Sequence, residues 1–255
     1  MFSGTLPCSS MASSKLPDVV NLESRITSSN ITDHISRRLL DTPLYFIRAP
    51  RPNERIVLPY PPPPGLVDPQ EGRSIVFFLK QREFGLPFPF SPFFIEVFEY
   101  FGVTPRMLSP NSILFMSCFE SICLGWGFAP TACLFVTFFR LVKAVQNFYY
   151  FSPRRGLSLL TGYKDSIKGW VENFLVAELK LGTDRSWEVD LRWGEIYPGS
   201  NDLPNLSIVE QVGLLRLTSV DRKYDVEKCS YVSNRRDVRS MGIALCLVMW
   251  FLLCL

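Results

Sequence analysis

The chain has 255 residues, room for one sizeable domain with flanking segments or two small ones, and 47% are hydrophobic against 20% charged, the balance of a globular chain. Its 27 Lys and Arg nearly cancel 24 Asp and Glu, and no segment concentrates the basic charge that an electrostatic nucleic-acid footprint needs. The single histidine, His34, excludes His-pair metal sites and zinc fingers with two His ligands, and any Ser-His-Asp or Cys-His centre would need His34 itself.

Met1 to Ser14 is Ser-rich and lacks the basic stretch and apolar core of a secretory signal. Ile31, Ile35 and Leu39 recur at helical spacing, predicting a short amphipathic helix with His34 as an ordinary surface residue beside the stripe. Leu44 to Ile47 predicts a strand. Pro50, Pro52, Pro59 and the run Pro61-Pro62-Pro63-Pro64 form a stiff, extended connector. With no flanking Arg to suit an SH3 or WW module, it reads as a linker. Residues 1–73 are therefore expected to be a flexible N-terminal region.

A packed domain is expected over residues 74–220. Ile75 to Leu79 is a short apolar run that predicts a buried strand. Ser91-Pro92 opens a helix, with Ser capping the free amides and Pro losing no needed donor. Phe94, Val97, Phe98 and Phe101 form its buried face, Glu96 and Glu99 its wet one, and Gly102 its left-handed stop. Ser109-Pro110 repeats the signal before a helix carrying Phe115, Phe119, Ile122 and Trp126, apolar on most sides and so predicted to lie centrally. Gly125-Trp126-Gly127 lacks the spacing and Lys of a phosphate loop and reads as a helix ending. After Pro130, the spacing of Leu134, Phe135, Phe138 and Leu141 predicts a third helix.

Strands are expected next. Phe148 to Phe151 and Leu157 to Leu160 flank Ser152-Pro153-Arg154-Arg155-Gly156, predicting a hairpin with a basic tip. Trp170 to Val176 predicts another strand, with a helix as the alternative, and Trp187 to Trp193 alternates apolar and charged residues as a half-buried strand does. Ile208, Val212, Leu215 and Leu217 predict a last helix. Helices first and strands later give an α+β fold: a compact helical part followed by a small, mainly antiparallel sheet, behind a disordered Pro-rich N-terminal region.

A charged linker is expected over 221–240 and an apolar tail over 241–255. Met241 to Leu255 carries no charge and follows Arg235, Arg236 and Arg239. As a helix it spans about 22 Å, against roughly 30 Å of bilayer hydrocarbon. Ile243, Leu247, Trp250, Phe251 and Leu255 would be its membrane-facing residues; the other reading is a packing segment. The seven cysteines, Cys8, Cys118, Cys123, Cys133, Cys229, Cys246 and Cys254, include no C-x-x-C pair and suit free thiols in a reducing compartment. An intracellular location, nuclear or cytoplasmic, is expected, with a membrane-anchored form as the alternative.

Arg154, Arg155, Lys164 and Lys168 are the basic residues placed beside aromatics (Tyr149, Tyr150, Tyr163, Trp170), the combination that binds single-stranded nucleic acid. The competing reading, a solvated hairpin tip with core aromatics, is preferred. Asp184, Glu188, Asp190, Glu195 and Asp202 invite a two-metal nuclease reading, but Glu188 and Asp190 fall on the polar face of an alternating strand, where charges belong. No catalytic residue, metal ligand or cofactor is assigned, and the chain is expected not to be an enzyme.

Phe84-Gly85-Leu86-Pro87, Phe90-Ser91-Pro92-Phe93-Phe94, Glu96-Val97-Phe98-Glu99-Tyr100-Phe101-Gly102, Leu108-Ser109-Pro110-Asn111-Ser112 and Tyr150-Phe151-Ser152-Pro153-Arg154 follow one another in a distinctive order. Together, over roughly Ile75 to Val220, they resemble the plant putative gypsy-type transposon domain, also labelled a putative transposase. The resemblance implies a retroelement origin and brings no catalytic residues with it. Asp41-Thr42-Pro43 departs from the Asp-Thr-Gly of an aspartic protease, and neither a polymerase Y-x-D-D pair nor a nucleocapsid knuckle occurs. The expectation is a non-catalytic interaction or gag-like structural domain, with self-association or a protein partner. The alternatives are a nucleic-acid-binding or metal-dependent accessory factor, and the same domain tethered to a membrane.

Overall fold

The structure, a computed structural model, describes residues 20–41, 44–52, 54, 56–58, 74–144, 148–180, 196–219, 223–226 and 229. Its first part holds strand β1 (Val20–Leu22), one-turn helices α1 (Ile31–His34) and α2 (Arg37–Leu40), and strands β2 (Tyr45–Arg48) and β3 (Ile56–Leu58), which pairs with β1. The single helix expected around His34 is thus two separate turns. Ile35 between them has an extended backbone (φ −133°, ψ 132°). Ile31 and Ile35 still reach the core, and His34 faces outward.

β4 (Ser74–Phe78) runs straight into α3 (Leu79–Glu83), which is followed by α4 (Pro92–Phe101), a 3₁₀ turn at Pro105–Met107, α5 (Pro110–Gly125) and α6 (Ala132–Phe138). Strands β5 (Phe139–Lys143), β6 (Tyr149–Pro153), β7 (Leu160–Thr161) and β8 (Phe174–Leu179) come next, then α7 (Ile208–Thr218) and β9 (Tyr224–Asp225). The fold is α+β, with its helices packed beside small antiparallel sheets and one short parallel pair, β7 with β9.

The main sheet has the order β2–β8–β4, so its middle strand is the last of the three in the chain. Tyr45 faces Leu179 and Phe78 faces Phe174 across the two antiparallel ladders. A strand flanked on both edges is apolar where both its faces are covered, and Phe174, Leu175, Val176 and Ala177 are all buried. The sheet therefore draws one strand from ahead of residue 74. The strand expected from Trp170 starts later because Trp170–Glu172 forms a 3₁₀ turn after Gly169, whose φ of +70° gives the chain its bend.

Local signals set the helices. The Ser91 hydroxyl accepts from the Phe94 N–H at 3.4 Å, and Gly102 ends α4 with φ +67°. α5 is buried along most of its length, as a helix with Glu120 for its single charge requires. Its phenylalanines meet those of α4 and α6: the Phe135 ring lies 5.3 Å from Phe119, 5.8 Å from Phe93, 4.6 Å from Phe139 and 4.8 Å from Phe151. Edge-on and offset ring pairs at these separations add to the burial of large apolar surfaces.

Two expectations are corrected here. The third helix stops at Phe138, and Phe139 is extended (φ −128°, ψ 150°), so Leu141 lies in a strand. Phe139 and Leu141 are buried while Arg140 and Lys143 are exposed, the period of a half-covered strand. The hairpin forms between β5 and β6, with Leu141 opposite Phe151, and not between residues 148–151 and 157–160. Leu160 and Thr161 pair instead with Tyr224 and Asp225.

Polar groups are buried where the backbone demands them. Gln81 accepts from the Phe78 N–H at 3.0 Å and donates to the carbonyls of Pro105 (2.6 Å) and Leu108 (2.7 Å), tying α3 to the 3₁₀ turn. Arg48 on β2 is held between Glu54 (2.5 Å) and Glu178 (2.6 Å) on β8. The strand expected at Trp187 to Trp193, the proline run and the tail from Met241 lie outside the described residues.

Candidate interaction surface

The last helix forms because Ser207 caps it. The Ser207 hydroxyl accepts from the Glu210 N–H at 3.3 Å, and the Glu210 carboxylate accepts in return from the Ser207 N–H at 2.8 Å. The other Glu210 oxygen accepts from Thr131 Oγ1 at 2.6 Å. Burial pushes the Glu210 carboxyl up, but the hydrogen bonds from Thr131 and Ser207 outweigh it and hold it below the ordinary carboxylate range. α7 is thereby fixed to the start of α6.

Gly213 and Leu217 form the buried side of α7. A Cβ at Gly213 would lie 3.1 Å from the Phe128 ring and 3.2 Å from Leu134, so glycine lets the helix lie flat there. The helix that this stripe predicts is real, and apart from Leu217 the stripe faces solvent. Ile208 is 80% exposed, Val209 72%, Val212 45% and Leu215 67%. Periodicity defines a helix face, not what covers it. Tyr197 and Leu203, in the segment leading into α7, are also exposed. Arg216, at the edge of this face, donates to the Trp126 carbonyl at 3.3 Å, and Gln211 donates to the Leu206 carbonyl at 2.9 Å.

The basic residues singled out in the sequence occupy separate neighbourhoods. Arg154 is a brace: its guanidinium donates to the carbonyls of Val136 (2.7 Å) and Asn201 (2.5 Å). Arg155 is exposed in the turn after β6. Lys164 is exposed on a loop whose carbonyl accepts from Asn111 at 2.7 Å, and Tyr163 beside it packs on Phe115. Lys168 lines a shallow cavity of about 230 Å³ with Lys80, Glu83, Gly169 and Trp170. Trp170 stands edge-on to Phe78 at 4.5 Å. Lys80 in this cavity is paired with Glu83 at 2.5 Å.

Asp202 sits in an exposed turn, while Asp184, Glu188, Asp190 and Glu195 lie outside the described residues. Among the described residues no three His, Cys, Asp or Glu side chains converge as a metal site. Among them, too, no helix is long and apolar enough to cross a membrane, and Ile243, Leu247, Trp250, Phe251 and Leu255 lie beyond them. Sequence reasoning missed the outward turn of α7 and the buried hub at Gln81.

No curated protein and no solved structure matches the chain. The resemblance carried by the Gly-Leu-x-x-Pro, aromatic-helix and Leu-Ser-Pro-Asn succession is borne out over the helical part of the fold, from β4 to β5: residues 75–143 match the family described as putative gypsy type transposon.

Proposed function

We propose that this chain is a non-catalytic, transposon-derived interaction domain that self-associates through α7. The observation that carries the reading is the exposure of Ile208, Val209, Val212 and Leu215 on one helix face. Contiguous apolar surface rimmed by polar groups marks contact sites, since isolated chains rarely leave it open. A second copy is the occupant we favour because the face is self-complementary. In an antiparallel two-fold pairing centred near Val212, Ile208 of one copy meets Leu215 of the other. The helix-borne charges do not oppose this, because Glu210 is taken up by Ser207 and Thr131 and Arg216 leans on Trp126.

The eleven-residue helix is about 16 Å long, too short by itself for the roughly 800 Å² per partner of a standard interface. A weak dimer follows, widened by Leu203 and Tyr197. Free thiols at Cys118, Cys123, Cys133 and Cys229 support work in a reducing, intracellular compartment. The face lies outside the matched segment 75–143, so it would distinguish this chain from what that family shares.

Sedimentation of the full-length protein over a concentration series tests the proposal. Concentration-dependent dimers are expected, weakened at least tenfold by Val212→Glu with an unchanged circular-dichroism spectrum. A monomer at every concentration, or equal dimerisation of Val212→Glu, overturns it. Salt-sensitive binding of a single-stranded oligonucleotide that is lost in Arg155→Ala/Lys168→Ala would move the function to the basic residues. Metal-dependent cleavage of that oligonucleotide would end the non-catalytic reading.

A further inference from the structure

The β5–β6 ladder has an outer face that the core does not use. Alternation turns Phe139, Leu141 and Phe151 inward and leaves Arg140 and Val142 on β5, with Tyr150 and Ser152 on β6, on the opposite side. Arg140 stands directly across from Ser152, and Val142 from Tyr150. The pairing runs one residue past β6, because the Arg154 N–H donates to the Phe138 carbonyl at 2.8 Å. Arg154 therefore continues the row of Tyr150 and Ser152. Diagonal neighbours on such a ladder are about 7–8 Å apart, so Arg140 is within reach of Tyr150 on one side and Arg154 on the other.

The groups of this row are open to a ligand. Tyr150 is 38% exposed, and among the described residues its ring packs on no other ring and its hydroxyl makes no hydrogen bond. Among the same residues the Ser152 hydroxyl and the exposed Arg140 guanidinium are also without a hydrogen-bond partner. Arg154 donates through Nε to Val136 and through Nη2 to Asn201, which leaves Nη1 for a further acceptor. Burial, and after it the charge of Arg140, lowers the Arg154 guanidinium below its ordinary range, while Tyr100 and Asp202 offset part of that crowding. The surrounding sequence adds no carboxylate. From Ser121 to Lys164 the chain carries Arg140, Lys143, Arg154, Arg155 and Lys164 and no Asp or Glu.

We propose that this face binds single-stranded RNA, with a base stacked on Tyr150 and the adjoining phosphate held between Arg140 and Arg154, over Ser152. A phosphate there relieves the repulsion of the two guanidiniums, whose planar forks match its oxygens. The tyrosine ring offers any unpaired base a platform, whereas a duplex keeps its bases stacked and out of reach. The Ser152 hydroxyl, donor and acceptor at once, can meet the 2′-hydroxyl that separates RNA from DNA. An acidic peptide would satisfy the cations and leave the ring unused. Two phosphate contacts make a small site, which is why the nearly balanced charge of the chain does not announce it. The proposal does not rest on α7, and Arg155, Lys164 and Lys168 lie off these two strands.

Fluorescence anisotropy of the full-length protein with a labelled oligouridylate of about ten nucleotides tests the site. Saturable binding is expected. The logarithm of affinity should fall against that of salt concentration with a slope of about −1.4, from two phosphate contacts at about 0.7 each. Tyr150→Ala should weaken binding about tenfold, and Tyr150→Phe, which keeps the ring, should not. Arg140→Ala should halve the salt slope to about −0.7. Oligodeoxyuridylate of the same length should bind more weakly than the RNA, and Ser152→Ala should narrow that difference. Arg155→Ala/Lys168→Ala should bind as the parent chain does.

Absence of binding at low salt overturns the proposal, as does equal binding by Tyr150→Ala and Tyr150→Phe. Equal affinity of the parent chain for the deoxy probe moves the ligand from RNA to single-stranded nucleic acid of either sugar and overturns the choice of RNA. Displacement of the probe by a glutamate peptide of matching charge would make the face an acidic-peptide site instead. Loss of binding in Arg155→Ala/Lys168→Ala would place the RNA elsewhere.

Discussion

Thr131 and Glu210 join two helix starts through one hydroxyl. Thr131 Oγ1 accepts from the Leu134 N–H at 3.1 Å, capping α6, and donates to the Glu210 carboxylate at 2.6 Å, anchoring the first turn of α7. Removing the hydroxyl in Thr131→Val should cost about 1–2 kcal/mol, from a lost cap and an orphaned acceptor together. Urea unfolding of Thr131→Val, Glu210→Ala and the double variant should show non-additive losses, because the two side chains share a bond. Simple addition would mean that they act independently.

Acid should loosen the chain through Glu54. Burial pushes its carboxyl up, but the hydrogen bond from Arg48 and the Arg51 N–H more than compensate and leave it below the ordinary range. A carboxylate with a depressed folded pKa adds stability that is fully present above its unfolded value, near 4.3, and lost as pH falls through the folded value. Stability should therefore decline as pH drops below about 5, and Glu54→Gln should flatten that decline. At neutral pH the same change should cost about 3 kcal/mol, since it leaves Arg48 with Glu178 alone. Urea midpoints from pH 3 to pH 7 measure both effects.

Gln81 should tolerate no apolar replacement. It serves one backbone donor and two backbone acceptors in a fully buried position. Gln81→Leu keeps much of the volume but removes all three side-chain bonds, leaving the Pro105 carbonyl to the Leu108 N–H alone, at a cost of about 3 kcal/mol. The loss should appear in thermal melts, with Gln81→Glu also destabilising because a buried carboxylate cannot donate to the Pro105 and Leu108 carbonyls.

Phe135, like Phe119, should be among the most sensitive rings in the core, since four other phenylalanines contact it. Phe135→Ala is expected to cost about 3–5 kcal/mol, enough to unfold a marginal domain. Phe135→Leu should cost about half as much and preserve the fold. Equal losses for the two would show that the site collapses around the smaller side chain.

The sequence announces its helix starts well because those signals are local. Ser91-Pro92 and Ser109-Pro110 stand where α4 and α5 begin, and Gly102 takes the left-handed turn its position implies. Strand pairing is less legible. Leu134, Phe135, Phe138 and Leu141 fit a helical period across a boundary that only the partner strand β6 enforces, although Phe139-Arg140-Leu141 already alternates. At Ile208, Val212 and Leu215 the periodicity marks the helix but not its covered side, and it is Gly213, with no side chain to contribute, that sits against Phe128. The Gln81 hub depends on tertiary approach and leaves no short motif to find.

The strand order β2–β8–β4 bears on how the gene is best cut for expression. The stretch 75–143 ends on β5, whose partner β6 is encoded just downstream, while β4 waits for β8 some thirty codons later still. A fragment trimmed to that boundary keeps two strands whose hydrogen-bonding edges have lost their mates, an invitation to aggregate. The shortest version that folds unaided should extend at least through Leu179 and retain Tyr45–Arg48.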